Sequence, residues 1–300
     1  MKILLTGPTG FLGTHLLRAL VENNHMVIGL KRRNSNISKF SNIKGQVSFF
    51  DIEDGLEHLF NQCRNIELVI HTATCYGNKG KPLSEILKTN VLLPLHIMEL
   101  ASLHKNCTFI NTDTFFCKAE DGYAYLAEYI VTKKLFYQLG THYALKNNCS
   151  FINIRLEHMY GPGDGPEKFI PSILRKMMNH IPEITLTLGE QVRDFVYIDD
   201  VVNAYIKIIN SRKTMENRGV SYFEVGGGMV HSIKDFVTIA HTMIKSKSNL
   251  LFGVLSYREN EIMYSKANVE NLLRLGWQNN INLEMGLKHV ISSLQQQEIQ

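Results

Sequence analysis

Through the first half of the chain, short apolar runs alternate with stretches whose apolar residues recur every three to four positions. "KILLTG", "HMVIGL", "QVSFFD", "IELVIHTA", "NCTFINT" and "SFINIRLE" read as strands. "FLGTHLLRALVEN", "SEILKTNVLLPLHIMELASLH" and "EYIVTKKLFYQLGTHYAL" read as helices between them. Strands that are apolar throughout are buried on both faces, so the alternation predicts a parallel sheet covered by helices, an α/β fold of the Rossmann, doubly wound kind. After about residue 160 the regularity fades, and Gly and Pro cluster in "GPGDGPEKFIP". Residues 1–160 are expected to form the main domain. Residues 161–300 are expected to form a smaller C-terminal lobe, partly interleaved, with about 190–235 returning to the first sheet. No repeat or low-complexity tract interrupts this pattern.

Composition changes the picture little. At 300 residues, 44% apolar and 20% charged, the chain has ample material for a core. Its apolar runs fall short of the roughly 18 residues that a membrane span requires, so no membrane association is expected. The opening "MKILLTGPTGFLG" lacks the long apolar stretch of a signal peptide, which points to a cytoplasmic protein. Cysteines 63, 75, 107, 117 and 149 form no CxxC pair, and they read as reduced thiols mostly in the core, with no metal site. The net charge of +4 is too mild and too dispersed for a nucleic-acid footprint.

Candidate chemistry begins at Thr6-Gly7-Pro8-Thr9-Gly10-Phe11-Leu12-Gly13, between the first strand and the first helix. Glycines at 7, 10 and 13 allow a tight turn and let backbone N–H groups approach a pyrophosphate at a helix N-terminus. A glycine triplet alone is a weak signal; at this place in a βαβ chain it is a strong one. The second strand ends in Lys31, Arg32 and Arg33, where an acidic residue would serve the ribose of NAD. A guanidinium there suits a 2′-phosphate, so NADPH is expected over NADH. A solvated basic turn is the plain alternative. Asp51, after the third strand, is placed for the adenine edge.

"YIVTK" carries the remaining chemistry. Of twelve tyrosines, only Tyr129 has Lys four positions on, at Lys133. Such a pair shares a helix face, and a neighbouring ammonium favours the phenolate, lowering a pKa that is otherwise near 10. Alone, the pair would more often be surface decoration. Together with the phosphate loop, "HTAT" (71–74) and "INTDTFF" (110–116), it resembles the extended short-chain dehydrogenase/reductase family over nearly the whole chain. The resemblance implies Tyr129 as proton donor, Lys133 as its electrostatic partner and Thr112 as the group that holds the substrate oxygen. It also implies cofactor contacts from Ile52, Thr72, Ala73, Thr74 and Asn90, and a homodimer packed through the tyrosine helix and the long helix before it.

The family contains reductases, epimerases and dehydratases, so the fold does not decide the reaction. Sugar-nucleotide dehydratases carry Thr-Asp-Glu where this chain has Thr112-Asp113-Thr114. Threonine is no base at neutral pH, which disfavours dehydration. 4-Epimerases usually keep the acidic ribose ligand that is missing here. The resemblance is greatest to members that reduce the C4 ketone of CDP-4-keto-3,6-dideoxyglucose with NADPH. That activity is therefore expected, with an NAD-dependent nucleotide-sugar 4-epimerase as the alternative and an NADPH-binding regulator or scaffold as the non-enzymatic one. For the nucleotide-sugar substrate, "RDFVYIDDVVNAY" (193–205) and "YRENEIMYS" (257–265) suggest Arg193 and Arg258 as phosphate and nucleoside anchors. Thr74, Thr112, Asp113, Thr114, Lys168 and His158 complete the expected substrate set, and Trp277 reads as core.

Overall fold

The computed structural model describes every residue except 44, 78–79, 105–106, 120–122, 213–218 and 300, with the backbone alone at 298–299. In chain order the strands are β1 (Lys2–Thr6), β2 (Met26–Lys31), β3 (Val47–Asp51), β4 (Leu68–His71), β5 (Thr108–Thr114), β6 (Ser150–Leu156), β7 (His158–Tyr160), β8 (Glu183–Thr185), β9 (Val192–Tyr197), β10 (Val220–Val225), β11 (Val230–Ser232) and β12 (Asn249–Leu251). The helices are α1 (Phe11–Glu22), α2 (Leu56–Gln62), α3 (Leu83–Leu87), α4 (Leu93–Ser102), α5 (Ala127–Asn147), α6 (Phe169–Met178), α7 (Ile198–Ser211), α8 (Ile233–Ile244), α9 (Glu270–Arg274) and α10 (Leu283–Ile299).

Seven strands form one sheet in the order β10-β6-β5-β4-β1-β2-β3. β1 pairs in parallel with β2 on one side, Leu4 opposite Ile28, and with β4 on the other, Leu4 opposite Val69. β3 and β5 continue the parallel ladder outward. The apolar runs lie where a sheet covered on both faces requires them: Ile3, Leu4, Leu5, Leu68, Val69 and Ile70 are fully buried. This is the Rossmann, doubly wound α/β architecture. Strand order reverses direction beside β1, and in such sheets the carboxyl ends of the strands flanking that point open a crevice for ligands. Here those ends are Thr6 of β1 and His71 of β4.

One expected helix is not continuous. "SEILKTNVLLPLHIMELASLH" divides into α3, a π-helical turn at Lys88–Leu92, and α4. Pro94 has no N–H to donate, and its ring crowds the carbonyl four residues back, that of Asn90. The widened turn relieves this, and Asn90 ends up buried inside it, 1% exposed.

The chain divides into two compact units. The first comprises Met1–Cys117, Leu126–Arg155 and Tyr205–Phe223. Its core gathers Leu4, Val69, Phe109, Phe136 and Phe151 from β1, β4, β5, α5 and β6. The buried stripe of α5 runs through Tyr129, Lys133, Phe136, Gly140 and Ala144, a helical repeat of three to four residues. The second unit comprises Lys118–Tyr125, Leu156–Ala204 and Glu224–Gln300. It holds the sheets β11-β9-β7 and β12-β8. Phe195 and Phe236 stack there with ring centroids 4.5 Å apart, and Trp277, 2% exposed, donates its indole N–H to the Asp200 carbonyl. All five cysteines are free and each is partly buried, with Cys63 and Cys107 packed against the core of the first unit. No helix among the described residues is long and apolar enough to cross a membrane.

Candidate active site

Gly7 leaves β1 at φ +65°, a left-handed conformation that suits glycine. A Cβ on Gly7 would lie 2.9 Å from the Ala73 nitrogen, and one on Gly13 would lie 2.0 Å from the Gly7 oxygen. Neither position admits a side chain. At Gly10 a Cβ would meet only the Gly7 oxygen, at 3.3 Å. α1 starts immediately after Gly10 with no side-chain cap, so its first N–H groups and its positive end are left for an anion. The loop fits the pyrophosphate of a dinucleotide. Phe11 lies edge-on to His15, while Leu12 is buried, which leaves its backbone rather than its side chain for a ligand.

The end of β4 is clipped to the end of β1. Thr6 Oγ1 accepts N–H bonds from Thr72 and Ala73, both at 3.1 Å, and Thr72 Oγ1 donates to the Thr6 carbonyl at 2.7 Å. With its acceptor sites taken, the Thr6 hydroxyl donates to His71 Nδ1, 2.9 Å away. His71 is therefore neutral, with its proton on Nε2, which is buried and has no hydrogen-bond partner among the described residues. Burial, and then the charge of Lys133, hold the His71 pKa well below the usual range. Asn90 braces the same loop: its Oδ1 accepts from Cys75 N at 2.8 Å and from Thr74 Oγ1 at 3.3 Å, and its Nδ2 donates to the Cys75 carbonyl and to Thr132 Oγ1. That uses its full capacity, so Asn90 shapes the loop and has nothing left for a cofactor.

At the carboxyl ends of β2 and β3 the basic cluster is largely committed. The Lys31 ammonium is bonded to the Asp51 carboxylate. Arg33 pairs with Asp54 at 2.5 Å and lies 3.7 Å from Asp51. Arg32 is exposed, and Ile52 opens the short turn after β3.

Tyr129 and Lys133 lie one turn apart on α5 and are 4% and 3% exposed. The electrostatics differ from the expectation. The Lys133 ammonium donates to the Thr112 carbonyl at 2.6 Å, tying α5 to β5. Burial lowers its pKa, while Asp113 and Cys117 raise it. The Tyr129 hydroxyl is held well above the ordinary phenol range, first by burial and then by Tyr76, Asp113 and Cys117. A hydrogen bond with the Thr114 side chain opposes them, and Lys133 is not among the causes. Tyr129 is thus held as a phenol, where the pair alone predicts a lowered pKa. Thr112 also has another partner: its Oγ1 lies 2.7 Å from the hydroxyl of buried Tyr205. Thr114, two residues along the same face of β5, is the hydroxyl beside Tyr129. Asp113 points the other way, into a buried network. It accepts from Arg155 Nε at 3.0 Å, Asn153 Nδ2 at 3.1 Å and Cys117 Sγ at 3.2 Å, and that contact with burial pushes the Cys117 thiol up to about 12.

The other expected substrate residues belong to the second unit. Arg193 is 5% exposed and bonded to Glu261 Oε1 at 2.9 Å, which offsets the cost of burying its charge. Arg258 is exposed, and its guanidinium stacks 3.5 Å from the centroid of Tyr125. Lys168 pairs with Asp164 at 2.8 Å. His158 lies edge-on to Phe195, and burial with the charges of Arg193 and Lys168 lowers its pKa to about 3.

Three residues with a bearing on the site went unread in the sequence. Tyr76 covers Tyr129 with ring centroids 4.8 Å apart, and it lies only two residues past "HTAT". Tyr205 and Lys39 carried no sequence signal, since each meets its partners from far along the chain.

The profile of the NAD dependent epimerase/dehydratase family matches residues 3–225. The chain belongs to this family. Among proteins related to this epimerase/dehydratase chain, the CDP-abequose synthase of Salmonella muenchen is 40% identical, covering 97% of each chain. The CDP-abequose synthase of Salmonella typhimurium is 38% identical, covering 97% of this chain and 98% of its own. The solved structure of UDP-glucose 4-epimerase from Thermotoga maritima superposes with a TM-score of 0.83 at 22% identity, covering 99% of this chain and 100% of that one, which establishes the shared epimerase/dehydratase fold.

Proposed function

We propose that this chain reduces the C4 ketone of a nucleotide-linked 4-keto-6-deoxyhexose with NADPH, and that its substrate is a CDP-4-keto-3,6-dideoxyhexose, as for a CDP-abequose synthase. The observation that carries this reading is the identity of 38–40% over nearly the full length to two proteins of that name. Tyr129, a buried phenol, is the group proposed to donate the proton that reduction needs.

When bound, the dihydronicotinamide supplies a hydride to the carbonyl carbon. The chain's own groups do the rest. Tyr129 gives its proton to the ketone oxygen, and Thr114 stabilises the phenolate left behind. Thr112, which already makes a hydroxyl–hydroxyl contact with Tyr205, orients the same oxygen. Lys133, whose ammonium donates to the Thr112 carbonyl, holds the tyrosine helix α5 against β5 so that Tyr129 and Thr112 face the same oxygen. Gly7, Gly10 and Gly13 seat the pyrophosphate. Arg258, exposed and stacked on Tyr125, is the arginine proposed for the nucleoside diphosphate; Glu261 lies 3.9 Å from it and bonds Arg193 more closely, at 2.9 Å.

The test is to mix the purified protein with freshly made CDP-4-keto-3,6-dideoxyglucose and NADPH, following absorbance and then the NMR spectrum of the product. Stoichiometric NADPH consumption with a new C4 carbinol is expected. Interconversion of 4-epimers with NAD and no net consumption would overturn the reading in favour of an epimerase. NADPH binding without consumption of any 4-keto-sugar nucleotide would favour a regulator.

A further inference from the structure

The three consecutive cations at the end of β2, Lys31, Arg32 and Arg33, invite a 2′-phosphate, but the fold spends two of them on carboxylates, Lys31 on Asp51 and Arg33 on Asp54. Lys39, six residues beyond Arg33, is arranged differently. Its Nζ donates to the Thr9 carbonyl at 2.9 Å and to Thr14 Oγ1 at 2.7 Å, which places an ammonium on the phosphate loop itself. Both acceptors are neutral, and among the described residues no carboxylate pairs with it. Beside it, Arg18 Nη2 donates to the Lys39 carbonyl at 3.4 Å, so a second cation occupies the same corner. Burial and the Arg18 charge both disfavour the Lys39 ammonium.

The arrangement is built rather than accidental. Phe40 is 4% exposed and packs on Phe49 of β3 with ring centroids 5.5 Å apart, which pins the segment. Asn36 Oδ1 accepts from Ser38 N at 2.8 Å and fixes the turn just before Lys39. An open groove lies alongside, lined by Arg18, Val21, Glu22, Lys39, Asn42 and Ile43, with Glu22 its one carboxylate. Two like charges held at the rim of a phosphate loop are favourable once an anion lies between them.

We infer that Lys39, backed by Arg18, is the specificity-determining cation for the 2′-phosphate of the adenosine half of the cofactor, in place of Arg33. This deepens the NADPH reading above and rests on it. A dianionic phosphate replaces the neutral Thr9 and Thr14 acceptors as the partner of the ammonium, so NADPH gains a contact that NADH cannot make.

The experiment is calorimetric titration of the full chain with adenosine 2′,5′-bisphosphate, 5′-AMP, NADPH and NADH, which needs no turnover. In the Lys39→Met variant, the two 2′-phosphorylated ligands should weaken by about tenfold or more, the worth of one charged hydrogen bond, while 5′-AMP and NADH shift by about twofold or less. Lys39→Arg should restore part of the loss, and Arg33→Ala should leave the selectivity intact. Equal weakening of all four ligands in Lys39→Met would reduce Lys39 to a loop latch and overturn the inference. So would loss of selectivity in Arg33→Ala alone. A wild-type chain that binds NADH and 5′-AMP at least as well as NADPH and adenosine 2′,5′-bisphosphate would instead overturn the underlying NADPH reading. Thermal midpoints of each variant separate folding from binding.

Discussion

In the proposed reduction a single hydroxyl, that of Tyr129, donates the proton. Replacing Tyr129 by Phe removes it while keeping the ring that packs under Tyr76. Turnover should fall by about 10²- to 10⁴-fold, with NADPH affinity unchanged by calorimetry. Undiminished turnover would remove Tyr129 from the proton-donor role. Asp113 is the contrasting case. Its type and position suit a substrate contact, yet its carboxylate is committed to Arg155, Asn153 and Cys117. Asp113→Asn should therefore cost stability, roughly 3 kcal/mol by urea denaturation, because it leaves a largely buried guanidinium without its counter-charge. A variant of normal stability and lost turnover would return Asp113 to the substrate. Spacing along the sequence shows that residues 112, 113 and 114 alternate faces, but not which face meets Tyr129.

Among the elements, α5 and the phosphate loop were the most legible, because short-range rules govern both. Tyr129 and Lys133 fall on one helical face wherever that helix packs, and glycines 7, 10 and 13 announce a tight turn. The broken helix around Asn90 was not legible as a break, although Pro94 signals one. The periodic pattern on either side continues through it, and the hydrogen bonds that reward the π turn come from Cys75 and Thr132. Helix packing also sets a test. Gly140 lies mid-α5, where alanine would add about 1 kcal/mol of helix propensity. A Cβ there would meet Phe151 Cζ at 2.9 Å, and that ring is fully buried with no room to retreat. Gly140→Ala should thus be net destabilising by about 1–3 kcal/mol, read from the urea midpoint. A stabilised variant would mean that the α5–β6 contact is looser than this geometry.

Taken whole, each unit carries a histidine held neutral by its surroundings: His71 in the first, clipped to Thr6, and His158 in the second. Both folded pKa values lie below 6.5, His158 at about 3. Above pH 6.5 both folded and unfolded chains carry neutral imidazoles, and the full stability is present. Below it the unfolded chain takes up protons that the native chain resists, so stability falls as pH drops toward the folded values, by about 1.4 kcal/mol per pH unit for each such histidine. Urea midpoints between pH 7.5 and 5 should show this slope. His71→Asn, which keeps an acceptor for Thr6 but cannot titrate, should cut the slope by about half, leaving the His158 share. An identical slope in that variant would show that His71 does not resist protonation in the folded chain.

The amino-acid sequence determined what local physics controls: which runs are strands, that Tyr129 and Lys133 share one face of α5, and where the backbone must turn without side chains. Only the tertiary structure decided how polar groups are shared out. It gave Lys31 and Arg33 to Asp51 and Asp54, Thr112 to Tyr205, Asp113 to Arg155, and left Lys39 on the phosphate loop. Each of those partners comes from a different strand, helix or loop. A hydrogen bond or ion pair depends on a few tenths of an ångström, which sequence spacing sets only within one element and the packing of the sheet sets between them.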